Sequence, residues 1–358
     1  NIMSVVHTNL IEGPTTWKGS DILNDPSWTK LLTMDEVKEL KEAVSEVKSY
    51  GLSFPNFTKD NFHLPTLSEK LSRIGHELEN GLGFVLLKGI PVDEYENNSD
   101  LSILYFGMGL HMGQPVRQNP KGDLIGTVMN VGDLSNPQTR VYETNAYLPY
   151  HSDPTDVVGL LCIHPAKTGG VSSLISATTL HNEMLKRYPE YLSVLYRPMW
   201  YPHAASEPCQ APIFSYHSDK LSCRYMRQYL ELSQNDMGTP LSQVELKAFD
   251  LMDSIMNEDG IRVDMMMQRG DLQLVNNYTV LHSRTNFEDY QESNLRRKKL
   301  RLWLNTTEAR KLEYNFPGRH GFPNPEISET NSPDTGPNSS VLVSIEKTCE
   351  KTGFFLSK

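Results

Sequence analysis

The chain has 358 residues, 38% hydrophobic and 22% charged, an ordinary soluble composition at a length that one β barrel with additions can still fill. A formal net charge of −10 with no long basic run argues against a nucleic-acid partner, because phosphates need a basic face. Cys162, Cys209, Cys223 and Cys349 show no CxxC spacing, and neither a leader pattern nor an apolar run of roughly 18 residues occurs, so a reducing cytoplasmic setting without membrane is expected.

Thr33 to Tyr50 reads as an amphipathic helix, with Thr33 and Glu36 in capping-box spacing and Gly51 as a stop. A second helix opens at Thr66 and Glu69, carries the stripe Leu67, Leu71, Ile74 and Leu78, and closes at Asn80-Gly81. Phe84 to Leu87 follows as a buried strand. Asp100 to Phe106 is a third helix, and Gly107-Met108-Gly109 is expected as a close-packed turn. From Asp123 to Ile175 short β-like pieces alternate with Gly, Pro and Asn, and Val157 to Ile163 suits a central strand. Helical spacing returns over Leu180 to Tyr196 and Leu241 to Met256, and a second β block spans Asp264 to Asn305.

The expected class is mainly β with flanking helices (α+β), with a barrel or jelly-roll core. Residues 1–81 read as a helical extension packed on that core, 82–305 as the β domain with an insertion or lid at 197–260, and 306–358 as a polar C-terminal extension.

The chemistry concentrates in Tyr150-His151-Ser152-Asp153. If this stretch is extended, His151 and Asp153 project from one face, and the run Leu272 to His282 supplies a second imidazole at its end. Two imidazoles and one carboxylate suit non-haem Fe(II) with positions left open. His164, His181, His203 and His217 compete, but none stands two residues from a carboxylate on a predicted strand. The chain carries no HExxH helix, zinc-type cysteine pairing or Gly-x-Ser-x-Gly elbow.

On an extended strand 297, 299 and 301 share one face while Leu300, Leu302 and Leu304 take the other, so an inward Arg297 or Arg301 implies an anionic ligand. The alternative is that Arg296 to Lys299 is a solvated turn and only Arg301 enters the strand. A hydroxyl near Gly169-Gly170-Val171-Ser172-Ser173 could supplement such an arginine, although most Gly-Gly-x-Ser stretches are only turns.

The ordered set Tyr150-His151-Ser152-Asp153, Pro165 to Ser173, Gly270-Asp271 to Arg284 and Arg297 to Leu304 resembles the taurine dioxygenase (TauD/TfdA) family, most nearly its clavaminate synthase-like branch, over roughly Leu82 to Asn305. The resemblance implies a double-stranded β-helix (jelly roll, cupin-like) and an Fe(II)- and 2-oxoglutarate-dependent dioxygenase using O2. By position it implies His151, Asp153 and His282 as iron ligands and Arg297 as the partner of the 2-oxoglutarate C5 carboxylate. Ser172 stands where many members have a threonine, with Ser173 competing. Arg301 matches an arginine that meets the acidic group of the substrate in some relatives. The implied reaction oxidises an unactivated C–H bond of a small carboxylate-bearing molecule, an amino acid or derivative, releasing succinate and CO2; hydroxylation, desaturation and cyclisation are not separated. Asp153 fills the position that halogenating relatives leave for a halide. The alternatives are a non-catalytic small-acid-binding metal barrel and a zinc-dependent hydrolase.

Overall fold

A strand that is apolar on both faces must be covered on both, so Phe84–Leu87, Val157–Ile163 and Leu272–Val275 demand a layered core. The computed structural model describes residues 5–95, 98–119, 121–131, 141–201, 209–313 and 316. Its strands are β1 (Thr29–Leu31), β2 (Phe84–Lys88), β3 (Gly113–Pro115), β4 (Ile125–Met129), β5 (Leu148–His151), β6 (Val157–His164), β7 (Thr168–Gly169), β8 (Ser172–Ser176) and β9 (Met199–Tyr201). They continue with β10 (Cys209–Ala211), β11 (Phe214–His217), β12 (Lys220–Cys223), β13 (Val263–Met265), β14 (Leu272–Asn276), β15 (Val280–Arg284), β16 (Phe287–Glu288) and β17 (Lys298–Thr306).

A major sheet runs β1-β2-β14-β6-β17-β3, with β4 also paired to β17, and a minor sheet runs β13-β8-β15-β5. Phe84, Val158, Val275 and Trp303 of the major sheet share a buried cluster with Leu174, Val263, Met265 and Val280 of the minor one, so the sheets stack as a double-stranded β-helix. The outer face of the major sheet, including Leu272, Leu274, Leu300, Leu302 and Leu304, packs on three helices, Met34–Ser49, Leu67–Asn80 and Asn98–Leu110. Ile175 and Leu281 on the outer face of the minor sheet meet the helices Ala177–Arg187 and Gln243–Met256.

The first helix begins as expected, with the Thr33 and Glu36 capping box formed. The second helix differs at its start, because Thr66 caps nothing with its own side chain. Glu39 of the first helix instead accepts from the Thr66 and Leu67 backbone N–H groups, so a neighbouring carboxylate takes the capping role. Gly107 and Gly109 are helical rather than a turn. A Cβ at Gly107 would stand 2.5 Å from the Phe62 ring and one at Gly109 2.6 Å from Leu302, so close packing selects glycine despite its poor helix propensity. The expected helix from Leu180 to Tyr196 is interrupted. It stops at Arg187 and restarts at Pro189, which has no N–H to donate and therefore fits only a first turn.

From 197–260 come two hairpins, β9–β10 and β11–β12, and the helices Arg227–Asp236 and Gln243–Met256, with 202–208 outside the described residues. Phe214, Leu221, Leu230 and Phe249 of this segment belong to the core behind the minor sheet. Beyond Thr306, Arg310 pairs with Glu79 at 3.0 Å, and most of 306–358 lies outside the described residues.

Candidate active site

The Leu272 to His282 run is two strands rather than one. After Asn276 the chain turns over Asn277–Thr279 and leaves β14 in the major sheet for β15 in the minor one. Asn276 makes this turn by accepting the Tyr278 N–H on its side chain at 2.8 Å. His282 therefore sits mid-strand, directly opposite His151 at the end of β5. Their rings lie 4.2 Å apart, and His282 Nε2 is 3.5 Å from Asp153 Oδ2. One donor atom from each of His151, Asp153 and His282 falls within 4.8 Å of the others, and all three residues are buried.

Asp153 is not on the strand that carries His151. β5 ends at His151, and the carboxylate is brought in by the loop that follows. That loop is held from several sides: Asn277 Oδ1 accepts the Asp153 N–H at 3.0 Å, and the Tyr225 carbonyl accepts the Ser152 N–H at 2.9 Å. The wholly buried Arg224 donates to the carbonyls of Asp153 and Thr155, the latter at 3.1 Å, and lies 4.5 Å from the Tyr278 ring centre. Arg224 belongs to the segment expected as an insertion or lid, and its residue type alone gave no hint of this work.

The electrostatics suit a metal. The Pro149 carbonyl, which can only accept, lies 2.8 Å from His151 Nδ1, so Nδ1 carries the proton and Nε2 the lone pair. Burial and then the neighbouring His282 push His151 down to about 3, which keeps the imidazole neutral. Burial would raise Asp153, but its contact with His282 and the charge of Arg301 outweigh that and hold the carboxyl below the usual range. The donor set is thus one carboxylate oxygen beside the neutral His151 imidazole and the His282 ring, which fits Fe(II).

A second group of charges lies along the interior. Arg297 is 3% exposed, its guanidinium carbon stands 4.9 Å from the Phe287 ring centre, and its Nη1 has no hydrogen-bond partner. Gly170, at φ +69°, leaves room beside it, since a Cβ there would meet Arg297 Nε at 3.3 Å. Burial pushes Arg297 down to about 10. Alternation along β8 separates the two candidate hydroxyls. Ser172 points inward with Leu174 and lies 3.1 Å from Gln273 Oε1, whereas Ser173 turns to Asp264 on the opposite face. Lys299 is also buried and inward, with Nζ 2.9 Å from Met267 Sδ, so 297 to 299 is not a solvated turn.

Arg301 reaches the triad. Its Nη1 stands 3.8 Å from Asp153 Oδ1, its Nε donates to Gln118 Oε1 at 2.8 Å, and its guanidinium lies 5.0 Å from the Tyr142 ring centre and 4.8 Å from that of Trp303. Of the competing histidines, His181 bonds Tyr196 in the core and His164 contacts Arg269, while His203 lies outside the described residues. Arg284, which the sequence reading gives no role, is buried and inward, and a period of two from His282 is the signal that marks it.

The family model described as taurine catabolism dioxygenase TauD, TfdA family, matches residues 46–303. FR-33289 synthase of Streptomyces rubellomurinus is 29% identical over 313 residues, 84% of this chain and 92% of that protein. The taurine hydroxylase-like protein SAT17 of Stachybotrys chartarum is 24% identical over 305 residues, covering 80% and 77%. Among solved structures, an asparagine oxygenase in complex with Fe(II), 3-hydroxyasparagine and succinate superposes with TM-score 0.61 at 16% identity, covering 78% of this chain and 94% of that one. The non-heme iron oxygenase OrfP in complex with Fe and alpha-ketoglutaric acid gives 0.57 at 13% identity, covering 82% and 99%. At such identities these two likenesses are of fold. The chain belongs to the TauD/TfdA family and is an Fe(II)- and 2-oxoglutarate-dependent dioxygenase.

Proposed function

We propose that this TauD/TfdA dioxygenase holds Fe(II) on His151, Asp153 and His282, receives the 2-oxoglutarate C5 carboxylate on Arg297 and Ser172, and oxidises a C–H bond of a small carboxylate-bearing substrate anchored by Arg301. The observation that carries the reading is the meeting of three ligand groups within 4.8 Å from two distant stretches of chain. Bound iron would supply the chemistry by which O2, the oxidant, takes two electrons from 2-oxoglutarate, releasing succinate and CO2, and two from the substrate C–H bond. The chain's own residues bind and orient. The Pro149 carbonyl fixes which nitrogen His151 presents, and Arg224 and Asn277 hold the Asp153 loop still. Arg297 offers a planar fork to a carboxylate from a buried position.

Arg301, propped by Gln118 and flanked by Tyr142 and Trp303, faces the triad. A substrate carboxylate on it would place the adjoining carbons beside the metal ligands. The acid that Arg301 meets within the chain is Asp153, which the metal would also claim. An amino acid or a derivative is the proposed substrate class, consistent with the 3-hydroxyasparagine named in the asparagine oxygenase complex. A cytoplasmic setting is proposed; among the described residues no helix is long and apolar enough to cross a membrane.

Anaerobic addition of Fe(II) and 2-oxoglutarate should produce the weak visible charge-transfer band of the chelate, and oxygen should then yield succinate. His151→Ala and His282→Ala should lose both while remaining folded; normal turnover in either removes the proposed triad. For the substrate, succinate release is compared across paired acids and amides in wild type and Arg301→Met. If amides trigger as well as acids, Arg301 is not the anchor.

A further inference from the structure

Two residues beyond His282 on β15, Arg284 shares the inward face and pairs in register with Ser172. It is 5% exposed. Its Nη2 donates to the carbonyls of Thr144 at 3.0 Å and Ala146 at 2.5 Å, but its Nε and Nη1 are buried with no hydrogen-bond partner. Its guanidinium carbon lies 4.9 Å from the centre of the Phe287 ring, the same distance from the same ring as that of Arg297. Among the described residues neither guanidinium forms an ion pair, and Asp289 offers Oδ1 to the Arg297 backbone N–H rather than to either side chain. Two buried like charges around one ring repel each other and leave donors unsatisfied, a costly arrangement unless an anion meets both. A single carboxylate has about four acceptor sites, enough for two guanidiniums and a hydroxyl.

We propose that Arg284 is a second cationic arm of the co-substrate pocket, converging with Arg297 and Ser172 on the distal carboxylate of 2-oxoglutarate and selecting a dicarboxylate over a 2-oxo monoacid. The inference rests on the proposed placement of 2-oxoglutarate. Arg284 is a specificity residue here, and the two backbone carbonyls on Nη2 keep its remaining donors aimed inward.

The test compares 2-oxoglutarate with 2-oxopentanoate, which has the same carbon chain and chelating end but no distal carboxylate. Both are titrated anaerobically into Fe(II)-loaded wild type, Arg284→Gln and Arg284→Lys, reading the dissociation constant from the charge-transfer band. Glutarate binding to the metal-free proteins is measured in parallel by calorimetry. Arg284→Gln should weaken 2-oxoglutarate and glutarate about tenfold or more and leave 2-oxopentanoate unchanged, with Arg284→Lys in between. Equal weakening of both oxo acids, or of neither, overturns the proposal and leaves Arg284 a support for residues 144–146. If Arg284→Gln fails to fold, the ratio of the two constants in Arg284→Lys decides, and an unchanged ratio rejects the role. A wild type that binds neither oxo acid refutes instead the placement of the co-substrate.

Discussion

Lys299 offers a direct test of the electrostatics inside the barrel. It is buried against Met267 Sδ, pairs in register with Cys162, and is pushed down to about 7 by burial and then by the charge of Arg297. The unfolded chain restores the ordinary lysine value, so between pH 7 and about 10.5 the unfolded state binds more protons than the folded one and stability rises with pH. Below pH 7 both states are charged and the folded state bears the whole penalty. At ~1.4 kcal/mol per pH unit across that window the penalty is on the order of 5 kcal/mol. Lys299→Met keeps the length of the side chain and removes the charge. Urea unfolding of both proteins between pH 6.5 and 10 should show the variant more stable at the acid end, with the gap closing by ~1.4 kcal/mol per pH unit as pH rises. A gap independent of pH, or a variant less stable at pH 6.5, would falsify the reading of Lys299 as an unneutralised buried amine.

Arg297→Lys keeps the charge and loses the fork, so the 2-oxoglutarate dissociation constant should rise about tenfold while Fe(II) affinity stays within experimental scatter; an unaltered constant moves the role to Arg284. Arg224→Met should loosen the Asp153 loop and weaken Fe(II) binding by about tenfold or more, measured by metal titration of the folded variant, with Arg224→Lys restoring part; unchanged iron affinity confines Arg224 to the fold. A Cβ at Gly126 would stand 2.5 Å from Gln118 Oε1, the atom that receives Arg301 Nε. Gly126→Ala should therefore raise the KM for an acidic substrate with little change for 2-oxoglutarate, and equal effects on both would remove Gln118 from substrate positioning.

The parts of this site visible in the sequence are those governed by period and spacing. Alternation along 297 to 304 separated the basic face from the leucine face, and the strand-like run from Leu272 offered His282 at its end as the candidate third ligand. What escaped was set by contacts between distant segments. Nothing local distinguishes Arg224 from a surface arginine, because its partners are carbonyls about seventy residues earlier in the chain. Thr66 and Glu69 look like a capping pair, yet Glu39 reaches the helix start first. The division of Leu272 to His282 depends on Asn276 turning back on its own backbone within an otherwise apolar run. That division puts β14 and β15 in different sheets, and it is what brings His282 opposite His151.

The basic face of β17 raises the question of what keeps it from slipping by one residue, which would drive arginine and lysine among the helices and leucines into the pocket. Both of its edges are occupied, by β6 on one side and by β4 and β3 on the other, so register is fixed twice over. Gly126 and Gly159 stand opposite Arg301 and Leu302, where side chains would collide with Gln118 and Tyr105. On the leucine face, Gly109 lets Leu302 reach the backbone of the helix Asn98–Leu110. Burying Leu300, Leu302 and Leu304 contributes about 1.5–3 kcal/mol each. This is the same order as the penalty for Lys299 alone, so the leucine face can hold in register a strand whose other face is electrostatically unfavourable.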